Sequence, residues 1–551
     1  MKLYAAILLI SMLALNQLKA DDGLDTKEKI KLELAKQKLF GGKYKDALKD
    51  FNVLLNAHPN DGFVLYYVGL TYFRLKEFEQ SISNLEKAKT SKETNRETYY
   101  YLGMLYQSDG KYDDAISSFN TFKSKITDKE NTTEYFVDQY ISQCNVAKKL
   151  ILNPVDVKIE NAGNLLNSKF DDKSPCISAD GQRLVFTSRR PHTTDDAMDE
   201  EGDGGYFEDI YITHWDTSKH NWEDPKLVPG DINTKGHDAA RNISPDGKTI
   251  IIYYNDPNGE SRGGNIYLSK MNGDKWKKPE PINKVLNCKV NTTYWEDGAC
   301  MSPDGKKIFF VSESPKYGKE KGFGGGDIWM IEKISKTEWS KPVNLGPTVN
   351  TPYQEVGIFL APDGKTLFFC SNSQESMGDY DIFKTTFTNG KWTKPVNLGF
   401  PFNSERKDGP FVMSADHHTG YFSSERKGGL GGADIYKIDL TNYPLLEDDM
   451  KKEEQSKPKL SILKGAVLDG FAGTGIEGIE IKILNEKNEV VSTIVTDNMG
   501  EYFITLKGDE KYKILIEKSG FQKIEEVVLL QSGTKGKTFS LDKRFLLNKN
   551  K

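Results

Sequence analysis

The sequence predicts three folded parts in a row: an all-α helical array, an all-β ring of five small sheets (a propeller), and a small all-β sandwich. Three observations predict it. Residues 28 to 122 repeat with a period of 34, residues 155 to 440 repeat one turn-and-strand pattern five times, and a charge-dense stretch then precedes a last set of short strands. Repeats of this length indicate stacked or radial architectures, because a single unit cannot bury its own apolar face.

Five kinds of position carry the helical repeat. Ala35, Gly69 and Gly103 fall in register, as do Gly42, Lys76 and Gly110; Tyr44, Phe78 and Tyr112; Ala47, Ser81 and Ala115; and Phe51, Leu85 and Phe119. Small residues let paired helices approach, and aromatic residues fill the layer between neighbouring pairs. The pattern resembles the tetratricopeptide repeat over three full repeats, with Pro59 ending the first. Residues 132 to 152 read as the extra helix that caps such an array, so this part spans 24–152. Projecting the repeat onto its concave face places Phe63, Tyr66, Leu70, Phe73, Tyr100 and Met104 there, a candidate groove for a partner's peptide or helix.

The ring is read from the turns Ser178-Ala179-Asp180-Gly181, Ser244-Pro245-Asp246-Gly247, Ser302-Pro303-Asp304-Gly305, Ala361-Pro362-Asp363-Gly364 and Ser414-Ala415-Asp416-His417. Successive turn aspartates lie 66, 58, 59 and 53 residues apart. An apolar strand follows each turn, and a third strand opens at Asp209, Asn265, Asp327, Asp381 and Asp434. An outer strand is marked by Trp222, Trp276, Trp339 and Trp392, and the fifth copy lacks one. Residues 155 to 160 supply the missing strand from the front. The expectation is a five-bladed ring closed by its N-terminal strand over 155–441, with six blades as the alternative. Closure removes sheet edges that invite aggregation. These units resemble the WD40-like PD repeats of exported bacterial propellers, the class also found in TolB.

Aligning the copies absorbs most conspicuous residues. Cys176 and Cys300 each stand four residues before a turn aspartate, and Cys288 falls in a slot held elsewhere by Ser168, Thr234, Thr351 and Ser404, which disfavours a disulfide or metal role. His220-Asn221-Trp222-Glu223 has the spacing of two zinc ligands, but its tryptophan is the repeat tryptophan. In the first blade's acidic insertion, 195–203, the alternation of Asp199, Glu201 and Asp203 is that of a calcium loop. Ile210 stands where the closing glutamate belongs, so the insertion reads as a solvated loop. No His-Glu-x-x-His, Gly-x-Ser-x-Gly or phosphate loop occurs, and no catalytic residue, metal site or cofactor is predicted.

Residues 442–459 read as a linker, polar and with nothing to bury. Over 460–545, alternating strands carry Gly-x-Val, then Thr496-Asp497-Asn498-Met499-Gly500-Glu501-Tyr502, then Gly520-Phe521. This run resembles the carboxypeptidase regulatory-like domain, an accessory sandwich without catalytic residues in its namesakes.

A formal net charge of -5 without any basic block argues against nucleic acid. Lys2, the apolar run Ala5 to Leu15, and Leu18-Lys19-Ala20 read as a signal peptide over residues 1–20, with no cysteine after the cut to carry a lipid. No other run is long enough to span a bilayer, so an exported chain, periplasmic or outer-membrane associated, is expected. The module order resembles the PorE-like periplasmic proteins of the Bacteroidetes type IX secretion and gliding apparatus. The resemblance implies a non-catalytic scaffold whose partners are envelope proteins, secretion-system or OmpA-like components among them. Members of that group continue into an OmpA-like domain that grips peptidoglycan, whereas in this sequence the strand Phe539–Phe545 lies about where that domain would start, so contact with peptidoglycan is expected to be indirect. The alternative is a protein that binds carbohydrate or peptidoglycan fragments.

Overall fold

A computed structural model describes residues 23–192, 198–199, 205–254, 263–273, 275–335, 338–441, 443, 445–446, 460–533 and 538–550. Residues 1–20, read above as a signal peptide, and most of the acidic insertion 195–203 lie outside the described residues. Contacts divide the chain into two units, residues 1–141 with 199–205, and residues 142–198 with 206–551.

The first unit is helical. Helices Thr26–Phe40, Gly62–Arg74 and Glu97–Ser108 alternate with Tyr44–Ala57, Phe78–Thr90 and Tyr112–Lys123. The second helix of each pair begins at the repeat aromatic, Tyr44, Phe78 or Tyr112. The first helix starts from a capping box in which Asp25 and Glu28 each satisfy the other's backbone N–H. Asp61 caps the third helix through the N–H groups of Phe63 and Val64. The repeat glycines are close-approach positions: a Cβ on Gly69 would sit 2.6 Å from Leu85 Cγ, and one on Gly103 would sit 2.6 Å from Phe119 Cδ1. Ser81, the small residue of the facing helix, donates its hydroxyl to the Gly69 carbonyl at 2.7 Å.

In the second unit, five antiparallel sheets follow one another, and the inner strands pack side by side around a circle. These inner strands are Asp172–Ile177, Asp238–Ile243, Glu296–Met301, Glu355–Leu360 and Asp408–Met413, and the first packs against the last. The fold class read from the sequence is therefore the one observed, a ring of five blades. Strand Lys158–Asn161 joins the fifth sheet, pairing antiparallel with Asp434–Asp439 in the register Ile159 to Ile438. Second strands such as Lys307–Ser312 and Thr366–Ser371 are buried almost throughout. They lie between neighbours within a blade and between blades above and below, which is why they read as continuous apolar runs.

The repeated turn owes its residues to a small hydrogen-bond circuit. In the second blade, Ser244 Oγ donates to Asp246 Oδ1 and accepts from Thr249 N at 2.8 Å, while Asp246 Oδ1 accepts from Lys248 N at 3.0 Å. The same circuit recurs at Ser178 with Asp180 and at Ser302 with Asp304. In the fourth blade Ala361 has no hydroxyl, and Thr366 Oγ1 donates to Asp363 Oδ2 instead. The fourth turn residue has positive φ, 71° at Gly247, which favours glycine; the fifth copy places His417 there at 59°. The turn aspartates are thus structural, as their fivefold recurrence implies.

A second fivefold device is an asparagine whose side-chain amide bonds both N–H and C=O of the isoleucine in the third strand. Asn233 does this to Ile210, Asn350 to Ile328, Asn403 to Ile382, and Asn167 to Ile435. In the third blade the residue is Asn291, bonding Ile266; Asn287, the asparagine directly before the aligned Cys288, does not take this role. A short helix, Ile282–Leu286, adds residues there, so Thr292 and not Cys288 fills the serine/threonine slot. Cys176 and Cys300 are buried in inner strands, their thiols pushed up to about 12 by desolvation. They are inert packing residues.

The reading of 442–459 as wholly linker is corrected at its start. Leu445 and Leu446 are buried in the ring's largest apolar cluster, and Lys384 Nζ donates to the Leu445 carbonyl at 2.7 Å. The charged neighbours in sequence masked two leucines that follow the last blade strand directly into the core. Beyond lies a sandwich of a three-stranded sheet, with Leu460–Asp469 at its centre, and a four-stranded sheet. It is not wholly antiparallel, since Leu460–Asp469 and Phe539–Leu547 run parallel. The last strand reaches the first by crossing from the other sheet, and a crossover of that kind delivers a parallel neighbour.

Candidate functional site

The helical unit carries an aromatic ladder. Phe51 stacks on Tyr67, Tyr66 meets Tyr67 and Tyr101, and Phe73 packs on Tyr101 at 5.2 Å between centroids. Tyr100 continues it to Phe122 and Tyr135, each at 5.2 Å. Of the six groove residues read from the sequence, Phe63, Phe73, Tyr100 and Met104 are half-buried. Tyr66 and Leu70 are buried, at 5 % and 2 % exposure, which corrects their placement on an open groove. Tyr66 is consumed by packing between repeats, and desolvation pushes its hydroxyl pKa up.

In the ring, one end holds a circle of buried carboxylates at the start of the inner strands: Asp172, Asp238, Glu296, Glu355 and Asp408. Each accepts from the hydroxyl and N–H of the serine or threonine four residues earlier, as Glu355 does from Thr351 at 2.6 and 2.9 Å. Blades one and five add a guanidinium. Arg190 bonds Asp172 at 2.6 Å and Arg426 bonds Asp408 at 2.8 Å, each lying over two aromatic rings of its own blade. In the third blade Tyr317 takes that place, its hydroxyl donating to the Val290 carbonyl as Arg190 does to that of Leu166. Without a cation, burial pushes Glu355 up to about 7 and, in the third strand of the same blade, Asp381 up to about 8. Asp238 rises to about 6. Glu355 and Asp238 are perturbed by an architectural device, the same Ser/Thr-to-carboxylate bonds that recur in every blade.

At the opposite end, the turns face the outer surface of the sandwich's three-stranded sheet. Thr505 Oγ1 donates to the Pro362 carbonyl at 2.7 Å, Lys464 pairs with Asp180 at 3.6 Å, and Lys248 pairs with Glu501. Between these contacts lies a cleft of about 920 Å³. Its floor is made by the turns of the first three blades with His214 and Trp215; its roof is made by Lys464, Phe503, Asp542 and Arg544 together with Met499. Desolvation, then the neighbouring Arg183 charge, lowers the His214 pKa, so its imidazole is neutral near pH 7. Sequence reasoning missed this site because its residues come from seven separate segments. The one legible sign is the polar alternation of Asp542 and Arg544 with buried Phe545 and Leu547 on a strand whose outer face is not core. Among the described residues, no group of three or more histidine, cysteine, aspartate or glutamate side chains is arranged to hold a metal ion. No helix among them is long and apolar enough to cross a membrane.

Comparison with known proteins agrees with the two terminal readings. Residues 462–542 match the carboxypeptidase regulatory-like domain, and residues 97–125 match the tetratricopeptide repeat. No curated protein matches the chain. Among solved structures, the TPR domain of P58(IPK) is 19% identical over 23% of this chain and 35% of its own, with a TM-score of 0.22. The Yersinia enterocolitica type III secretion chaperone SycD, solved with a peptide of the translocator YopD, is 15% identical over 23% of this chain and 97% of its own, with a TM-score of 0.21. A 3-chlorocatechol 1,2-dioxygenase from Rhodococcus opacus is 12% identical over 18% of this chain and 63% of its own, with a TM-score of 0.15. TM-scores this low carry no argument about function.

Proposed function

We propose that the protein is an exported, non-catalytic scaffold of the bacterial cell envelope that joins partner proteins, in the setting of type IX secretion or gliding machinery. The observation that supports it best is the aromatic ladder of the helical unit. Phe63, Phe73, Tyr100 and Met104 keep part of their surface open along helices whose repeat is a protein-binding one in other chains. Aromatic and methionine side chains offer large contact areas at low entropic cost. The regulatory-like sandwich and the ring add rigid surfaces, and the perturbed carboxylates of the ring are accounted for by its construction.

The test is recovery of partners from envelope fractions on the tagged full chain. At least one specific protein should be captured by the wild type and lost with Phe63→Glu or Met104→Glu at unchanged helical circular dichroism. Capture of nothing specific, or capture indifferent to both substitutions, would overturn the reading.

A further inference from the structure

We propose that the cleft between the turn face of the ring and the sandwich binds a neutral oligosaccharide several rings long. Its volume of about 920 Å³ lies at the upper end of small-ligand sites, so it suits an extended ligand better than a single metabolite. All its lining residues belong to the ring and the sandwich, and the inference does not depend on the protein partners proposed for the helical unit.

The chemistry of the walls selects the ligand. On the floor, Asp246 and Asp304 each commit Oδ1 to a serine hydroxyl and a backbone N–H, and among the described residues Oδ2 of each has no partner. These are acceptors held rigidly by a tight turn, facing a roof that supplies donors. The side chains of Arg544 and Asp542 make no hydrogen bond or ion pair among the described residues and line the same space. A sugar carries hydroxyls that donate to a carboxylate and accept from a guanidinium, often from adjacent carbons, and so satisfies both walls at once.

Charge argues against the other polar ligands. Lysine and arginine in the cleft alternate with aspartate and glutamate and partly neutralise them, as at Lys464 with Asp180. No surplus of positive charge is present to collect a phosphate or a nucleic acid. The apolar part of the lining is the half-buried indole of Trp215, with Met301 and Met499, and offers a surface for the C–H face of a pyranose. Floor and roof are turns and strands, so a ligand meets a site already formed.

Isothermal titration of the full chain with cellohexaose, maltohexaose and hexa-N-acetylchitohexaose tests the inference. One of them should bind one to one with a Kd below about 1 mM; Asp304→Asn, which keeps Oδ1 for the turn and replaces the Oδ2 acceptor, and Arg544→Ala should each weaken it about tenfold or more. Both side chains reach solvent, so unchanged melting temperatures serve as the folding control. Lys487→Ala, on the far loop of the sandwich, should leave binding as it is. Absence of binding by all three sugars at about 10 mM would overturn the proposal. So would binding indifferent to both substitutions, or binding confined to a sulfated glycan or a peptide.

Discussion

Replacing Glu355 by glutamine should make the ring more stable at alkaline pH and leave it nearly unchanged in acid. Glu355 is fully buried, and its partners are Thr351 N, Thr351 Oγ1 and Ser371 Oγ at 2.9, 2.6 and 3.1 Å. All are neutral, and burial lifts the carboxyl from 4.5 to about 7. Below pH 4.5 the group is protonated in folded and unfolded chains alike, and the protein keeps its full stability. Between 4.5 and 7 the unfolded chain releases the proton first, so stability falls as pH rises; above 7 the loss is complete. At 1.36 kcal/mol per pKa unit, that loss is about 3 kcal/mol. Glutamine keeps the shape, and its NH₂ can donate to the Thr351 or Ser371 hydroxyl, which turns to accept. At about 2 °C per kcal/mol for a domain of this size, the substitution should raise the melting temperature by about 6 °C more at pH 8.5 than at pH 4.5. Calorimetry at the two pH values measures this. An equal shift at both would refute the reasoning, since a carboxylate ionised throughout that range carries no such pH dependence.

Two further predictions concern the devices that hold the ring. Arg426→Leu leaves Asp408, fully buried, with only hydroxyl and amide donors; unfolding by denaturant should show a loss of about 3–5 kcal/mol, partly restored by adding Asp408→Asn. A double variant no more stable than the single one would show that the arginine acts by packing alone. Glu160→Pro removes a ladder hydrogen bond to Lys437 from the strand that closes the fifth blade, and faster proteolysis at the Asp434–Asp439 edge with concentration-dependent aggregation should follow, read by limited digestion and light scattering.

Periodicity made most of the fold legible. Each helix pair or blade repeats because each must bury the same apolar face against the next copy, so the sequence repeats what the packing requires. That argument determined the helical array, the five blades, and the closing strand, which was recognisable because the last copy lacked what residues 155 to 160 supply. It failed where one copy carries an insertion. The helix Ile282–Leu286 moved the third-blade asparagine to Asn291, and nothing local to Asn287 announces that it has lost the role. It failed also at Leu445 and Leu446, which a polar neighbourhood disguised.

Sites were harder to read than folds. A projection places Tyr66 and Leu70 on the groove face, but only the packing of adjacent repeats decides that Tyr101 covers the Tyr66 ring. The pKa of Glu355 turns on the absence of a counterpart to Arg426, a comparison that needs the blades superposed. The cleft has no sequence signature, because residues near 180, 246, 304, 464, 500 and 544 meet only when the sandwich rests on the turn face. The sequence by itself determined the repeating units and the turn circuits, which depend on neighbours a few residues apart. Tertiary structure alone decided which polar groups are buried without a charge partner and which are left open between domains, since both depend on contacts between segments far apart in the chain.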